Sequence, residues 1–382
     1  MSTAPFDVDA LLFDPETRII VCCGSGGVGK TTTAAAMALR AAEGGRNVVV
    51  LTIDPARRLA QSMGLAELDN TPRQVPGITG TGSLDAMMLD MKRTFEELVE
   101  SHTDPERAQS VLDNPFYQSL SSSFAGTQEY MAMEKLGQLR QQSDLDGSWD
   151  LIVVDTPPSR SALDFLDAPN RLGSFLDGRF IRVLAAPAKG AGRGVGRIFG
   201  AGFSLVSGVM NKVLGNQLLS DLSAFVQALE SIFGGFRNRA DETYQLLKEP
   251  GTAFTVIAAP EPDAIREATY FVDRLSSEGM PLAGMVLNRV TLPPPHTLSA
   301  AQATVAADAL DAEPAAAETA ALLRLHANTV VAAERQAHLA DRFSAAHPQV
   351  PVAVIPALAD DVHDLDGLRL VGELLVADVT AE

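Results

Sequence analysis

Residues 18–45 read RIIVCCGSGGVGKTTTAAAMALRAAEGG, and no other stretch restricts the fold as tightly. An apolar run without polar interruption stops at Gly24. A loop follows that contains Gly26, Gly27 and Gly29, and then an alanine-rich helical pattern that Gly44 and Gly45 close. A strand with no polar face must be covered on both sides, which means a mostly parallel α/β sheet. The spacing from Gly24 to Thr31 is G-x-x-x-x-G-K-T, the pattern of a loop that cradles nucleotide phosphates. Glycines let consecutive backbone N–H groups turn inward on the anion, and the following helix N-terminus adds its dipole. In such a loop Lys30 spans the β- and γ-phosphates and Thr31 ligates Mg²⁺.

Further apolar runs repeat the strand pattern. They are NVVVLTID (47–54), WDLIVVDTPP (149–158), TAFTVIAAP (252–260), PLAGMVLNRV (281–290) and VPVAVIPAL (350–358), with LDAMMLDMK (84–92) as a further candidate. Their polar punctuation falls at the C-terminal ends, where open α/β sheets bind ligands. Asp54 closes the second strand, where a carboxylate can orient or deprotonate an attacking water. Asp155 closes a strand of four apolar residues and is placed to hold Mg²⁺. Asn288, at the end of GMVLNRV, can read an adenine edge with its amide or cap a turn. The expected fold is a doubly wound, mostly parallel sheet with an inserted all-helical subdomain. Its nucleotide-binding core covers residues 1–90, 145–170 and 250–382, with an alanine-rich helical insertion at about 293–348. The helical subdomain covers about 91–144 and 171–249. Within it, Leu222, Phe225, Val226, Leu229, Ile232, Phe233 and Phe236 repeat at helical spacing, and the Gly-rich tract 187–201 carries Lys189, Arg193 and Arg197.

Composition removes several classes of function. The net charge of −18 leaves no basic footprint for nucleic acid. Cys22 and Cys23 are the only cysteines and sit together on the first strand. That reads as core packing and leaves no basis for a zinc or iron–sulfur site. His296, His326, His338 and His347 are too scattered to form a metal site. The N-terminus has no apolar core of signal-peptide length and no window approaches a membrane span. A cytoplasmic protein is expected, with membrane contact at most peripheral, through the Lys/Arg-bearing tract 179–212.

The stretches GSGGVGKTT, TIDPARRLAQSMG, LIVVDTPPSRSALDFL, PEPDAIREATYFVDRLSSEGMPLAGMVLNRV and VIPALADDVHDLDGL resemble, in order, those of the ArsA-like and tail-anchored-protein-targeting (GET-type) ATPases. These are P-loop NTPases with a deviant Walker A motif. The resemblance implies ATP and Mg²⁺ as ligands. It implies a phosphate cradle of Gly26, Gly27, Val28, Gly29, Lys30, Thr31 and Thr32, a water-activating Asp54 and a magnesium-linked Asp155. Asn288 would read the adenine, its neighbour Arg289 would also bind the nucleotide, and the segment from Pro356 would close over the base. It also implies a nucleotide-gated dimer, with itself or with a paralogue, that handles a hydrophobic protein client or a membrane partner.

Three departures qualify the resemblance. The helical region has no cysteine for a metalloid, and the segment at about 293–348 has no C-x-x-C zinc clamp for a dimer. Ser25 stands where relatives carry a lysine that reaches the other subunit's ATP, unless Arg57, Arg58 or Arg160 substitutes. Residues 159–161 read SRS where relatives more often have glycine and histidine. Two alternatives remain: a nearly inert regulatory subunit, and a positioning ATPase of the ParA or MinD kind. The acidic C-terminus LRLVGELLVADVTAE and the missing basic surface speak against the second.

Overall fold

The computed structural model describes residues 4–54, 58–102, 104–114, 128–157, 238–294, 298–312 and 314–377. The expected helical repeat from Leu222 to Phe236, the tracts 179–212 and 187–201, and Arg57, Ser159, Arg160 and Ser161 lie outside them. In chain order the elements are α1 (Val8–Phe13), β1 (Ile19–Gly24), α2 (Lys30–Glu43), β2 (Asn47–Thr52), α3 (Arg58–Ser62), β3 (Arg73–Gln74) and β4 (Ser83–Met88). There follow α4 (Met91–His102), α5 (Pro105–Leu112), α6 (Gln128–Asp146), β5 (Leu151–Asp155), β6 (Thr252–Ala258), α7 (Pro262–Glu278) and β7 (Leu282–Val290). The last are α8 (Ala300–Leu310), a 3₁₀ turn (Pro314–Ala316), α9 (Ala317–Ala346), β8 (Val352–Pro356) and α10 (Leu365–Leu374).

The strands form one sheet in the order β3-β4-β2-β5-β1-β6-β7-β8. Every pairing is parallel except β3 with β4. β1 is flanked by β5 and β6, and every residue of these three strands is buried. This explains their unbroken apolar runs. The 84–92 run divides into β4 and the start of α4. The two-residue β3 and the short α1 have no apolar periodicity long enough to show in sequence. Two compact units can be separated: Met1–Met88, Gln142–Leu163 and Leu247–Glu382 in one, and Leu89–Gln141 and Asp164–Leu246 in the other.

The first unit is built around α2. Ala34, Ala35, Ala36, Ala38, Ala41 and Ala42 are all fully buried, because α1 and α10 cover the flanks that the sheet does not. Arg40 grips Asp9 of α1 through two bonds of 2.6 Å. Arg369 of α10 donates to Glu43 at 2.9 Å and 3.0 Å and to the Gly77 carbonyl at 2.8 Å. At the outer edge, Phe6 N–H donates to Val352 O and Val352 N–H to Ala4 O, both at 3.2 Å. The N-terminal segment thus shields the free edge of β8. In the second unit, Arg239 donates to Glu134 at 3.1 Å and Lys135 donates to Glu97 at 3.1 Å.

At the N-terminal end of the sheet, Arg46 is buried and donates to four carbonyls: Leu12 (2.8 Å), Asp14 (3.2 Å), Thr17 (2.6 Å) and Asp150 (2.8 Å). One guanidinium therefore joins the entry points of β1, β2 and β5, and burial holds its pKa below the usual arginine value. Arg46→Ala would leave several of these acceptors unsatisfied. We expect a loss of about 2–4 kcal/mol, read as a lower urea midpoint. Arg46→Lys should lose less but not recover wild type, because an ammonium lacks the flat five-donor fork.

Candidate functional site

The loop between β1 and α2 is shaped by what its glycines touch. A Cβ on Gly24 would lie 2.1 Å from the Ile257 carbonyl of β6. Gly29, the α2 N-cap, has φ 93°, and a Cβ there would lie 2.2 Å from Asn288 Nδ2. Glycine at both positions is a steric requirement. Lys30 begins α2 and curls back, its ammonium donating to the Ser25 carbonyl at 2.8 Å. Burial lowers its pKa, while Asp155 and then Asp54 oppose the shift. Ser25 is itself buried.

Below the loop, Asp155 ends β5 with no exposed surface. Its Oδ2 accepts hydrogen bonds from Thr31 (2.8 Å) and Thr52 (2.9 Å). Its Oδ1 is buried with no hydrogen-bond donor among the described residues. Burial pushes the carboxyl up to about 6, although both threonines and Lys30 favour the charged form. Thr31 and Asp155 make an oxygen-only pair of the kind that holds Mg²⁺ when phosphates and waters complete its shell. A metal-bound water can satisfy the unpartnered Oδ1. Thr52 also receives the Asp54 N–H at 3.2 Å, and Ile53 N–H bonds the Asp155 carbonyl at 2.9 Å. These bonds hold the C-terminal ends of β2 and β5 in register.

The opposite wall comes from β7 and β8. Asn288 Nδ2 donates to the Val28 carbonyl at 2.8 Å, and its Oδ1 accepts the Arg289 N–H at 3.0 Å. An amide offers two donors and two acceptor sites, so one of each remains for a base. Arg289 donates to the Gly27 carbonyl at 3.0 Å. These walls enclose a cleft of about 970 Å³ at the C-terminal edge of the sheet, large enough for a nucleotide.

Gly26, Gly27, Gly29, Lys30, Thr31, Thr32, Asp54, Asn288, Arg289 and Pro356 all line this cleft. Val28 contributes its carbonyl while its side chain joins the core. Asp155 lies beneath, reached through Thr31. Cys22 and Cys23 are buried, and burial pushes both thiols up. Among the described residues no helix is long and apolar enough to cross a membrane.

Residues 17–306 match the model of the anion-transporting ATPases (ArsA). The chain belongs to this family. Similar proteins include the ATPase GET3 of Malassezia globosa, 24% identical over 291 residues, which cover 76% of this chain and 78% of that protein. The ATPase ASNA1 homolog of Cryptosporidium parvum is 28% identical over 305 residues, 77% of this chain and 73% of its own length. The ATPase GET3 of Podospora anserina is 26% identical over 305 residues, covering 77% and 82%.

Sequence reasoning about this family member missed Thr52, the second donor to Asp155. Its only signal was its place two residues before Asp54. Gln61, Asp360, Asp361 and His363, which also line the cleft, lie in stretches that carry the resemblance, but no residue-level signal singled them out.

Asp155 carries a testable pH signature. Its folded pKa lies above the ordinary carboxylate value of 3.8, so between about pH 4 and 6 the folded state keeps a proton that the unfolded chain has lost. Its contribution to stability therefore falls as pH rises through that window. The full shift corresponds to about 3 kcal/mol at neutral pH. Asp155→Asn, compared with wild type by urea unfolding at pH 5 and pH 7.5, should gain relative stability at the higher pH. An equal difference at both pH values would show that the carboxylate is not buried in its charged form.

Proposed function

We propose that this protein is a Mg-ATP hydrolase whose turnover drives a dimer that handles a hydrophobic protein segment or membrane partner in the cytoplasm. The observation that carries the reading is the linkage of Lys30, Thr31, Thr52 and Asp155 under a glycine loop, with Asp54 in the same cleft. In this reading the backbone of Gly26–Thr32 wraps the phosphates and Lys30 leaves the Ser25 carbonyl for the β- and γ-oxygens. Thr31 and Asp155 would hold Mg²⁺, which would supply positive charge to offset that of the phosphates. Asp54 orients and accepts a proton from the attacking water. Asn288 meets the adenine edge, and the Pro356 segment borders it. Residues 1–90, 145–170 and 250–382 form the ATPase core, and about 91–144 and 171–249 the client-handling helical part.

Ser25 favours one refinement. Relatives that the chain resembles place a lysine here, aimed at the other subunit's ATP, and serine brings no charge. Pairing with a lysine-bearing paralogue gives one competent and one impaired site, because this chain's ATP receives the partner's lysine. The same residue supports a second reading, a nearly inert regulatory subunit.

Turnover by the purified protein, alone and with its paralogue, tests both. Lys30→Ala should lose Mg-ATP binding and hydrolysis together. Asp54→Asn should bind ATP within about threefold of wild type and turn over about 10²–10⁴ times more slowly. Undiminished turnover in Lys30→Ala would sink the ATPase reading. Ser25→Lys should accelerate hydrolysis by about 10³-fold or more if the missing in-trans cation limits the rate. No acceleration, in the homodimer or with the partner, would remove Ser25 as the cause of low activity.

A further inference from the structure

The end of β7 is irregular in a way that its nucleotide-site neighbours do not require. Asn288 pairs with Ile355 of β8 and Val290 with Pro356, so Arg289 is an extra residue on its strand, a β-bulge. Its φ is 63°, and among the described residues it is the only non-glycine with positive φ. Glycine occupies such a position without strain, whereas arginine does not. The side chain is therefore kept against a backbone preference.

What the bulge achieves is visible in the contacts. A regular strand sends consecutive side chains to opposite faces. Here Asn288 and Arg289 reach consecutive carbonyls of one loop, Val28 at 2.8 Å and Gly27 at 3.0 Å. The Arg289 N–H is taken by Asn288 Oδ1. The guanidinium spends one N–H on Gly27, and its other donors have no partner among the described residues. The side chain is exposed and lines the same cleft as Lys30.

We infer that Arg289 is a polyphosphate-binding residue, delivered by the bulge to the mouth of the glycine loop of its own subunit. Its unspent N–H groups contact the phosphates of the nucleotide that Lys30 anchors. The inference rests on the nucleotide reading above and adds a cation that needs no second subunit, in a chain whose Ser25 supplies none.

The test separates the side chain's charge from its backbone. Arg289→Gly removes the charge and relieves the left-handed conformation, while Arg289→Ala removes the charge and keeps it. Binding of a non-hydrolysable ATP analogue with Mg²⁺ should weaken about 10-fold or more in both. The melting midpoint of the nucleotide-free protein should be higher for the glycine variant than for the alanine variant. Arg289→Lys should bind with intermediate affinity, because it keeps the charge and loses the fork. Wild-type affinity in the glycine variant would overturn the inference, since Arg289 would then act only on the loop's stability. Lys30→Ala is the control for the underlying reading. If it binds like wild type, the nucleotide site itself is misassigned; if only Arg289→Gly does, the present inference fails alone.

Discussion

Asp155 Oδ2 is the point on which the site depends. Two hydroxyls converge on it, one from the first turn of α2 and one from the end of β2. The carboxylate itself ends β5. Three elements at the edge of the cleft, α2, β2 and β5, are therefore tied together by one buried oxygen. Such burial is costly for a charge unless hydrogen bonds compensate it. Compensation here is incomplete, since Oδ1 stays unpartnered. The folded protein thus carries a carboxyl that burial pushes up to about 6, where two strand ends and the first turn of α2 meet.

The second wall is organised by a different economy of hydrogen bonds. Asn288 bonds across the cleft to the loop backbone, and the absence of a Cβ at Gly29 gives it room. Loop and wall constrain one another: a side chain at Gly29 would displace the asparagine, and losing the asparagine would free the Val28 carbonyl. Arg46 plays the matching part at the far end of the sheet, where four carbonyls share one cation. A parallel sheet needs support at both ends because its strands are joined by distant crossovers rather than by tight turns.

The membership of the anion-transporting ATPase family agrees with a site built from short-range glycine geometry and long-range aspartate geometry together. Ser25 belongs to the first by its carbonyl, which caps Lys30 at 2.8 Å. Its side chain contributes no charge. Ser25 thus takes part in the loop through its backbone alone.

Much was legible from residue order alone. The strand, glycine loop and alanine helix of residues 18–45, the parallel sheet and the positions of Lys30, Thr31, Asp54 and Asp155 follow from patterns within windows of a few residues, where periodicity and backbone sterics act. β3 and α1 escaped because they are too short to show a period. The pairing of Thr52 with Asp155 across 103 residues, and of Asn288 with Val28 across 260, depends on how strands are ordered and registered. So does the bulge that turns Arg289 toward the loop. Local sequence determined which polar groups would stand in the glycine loop and at the strand ends. Only tertiary structure decided which of them touch, because strand register and the one-residue offset at β7 are set by packing across the whole sheet.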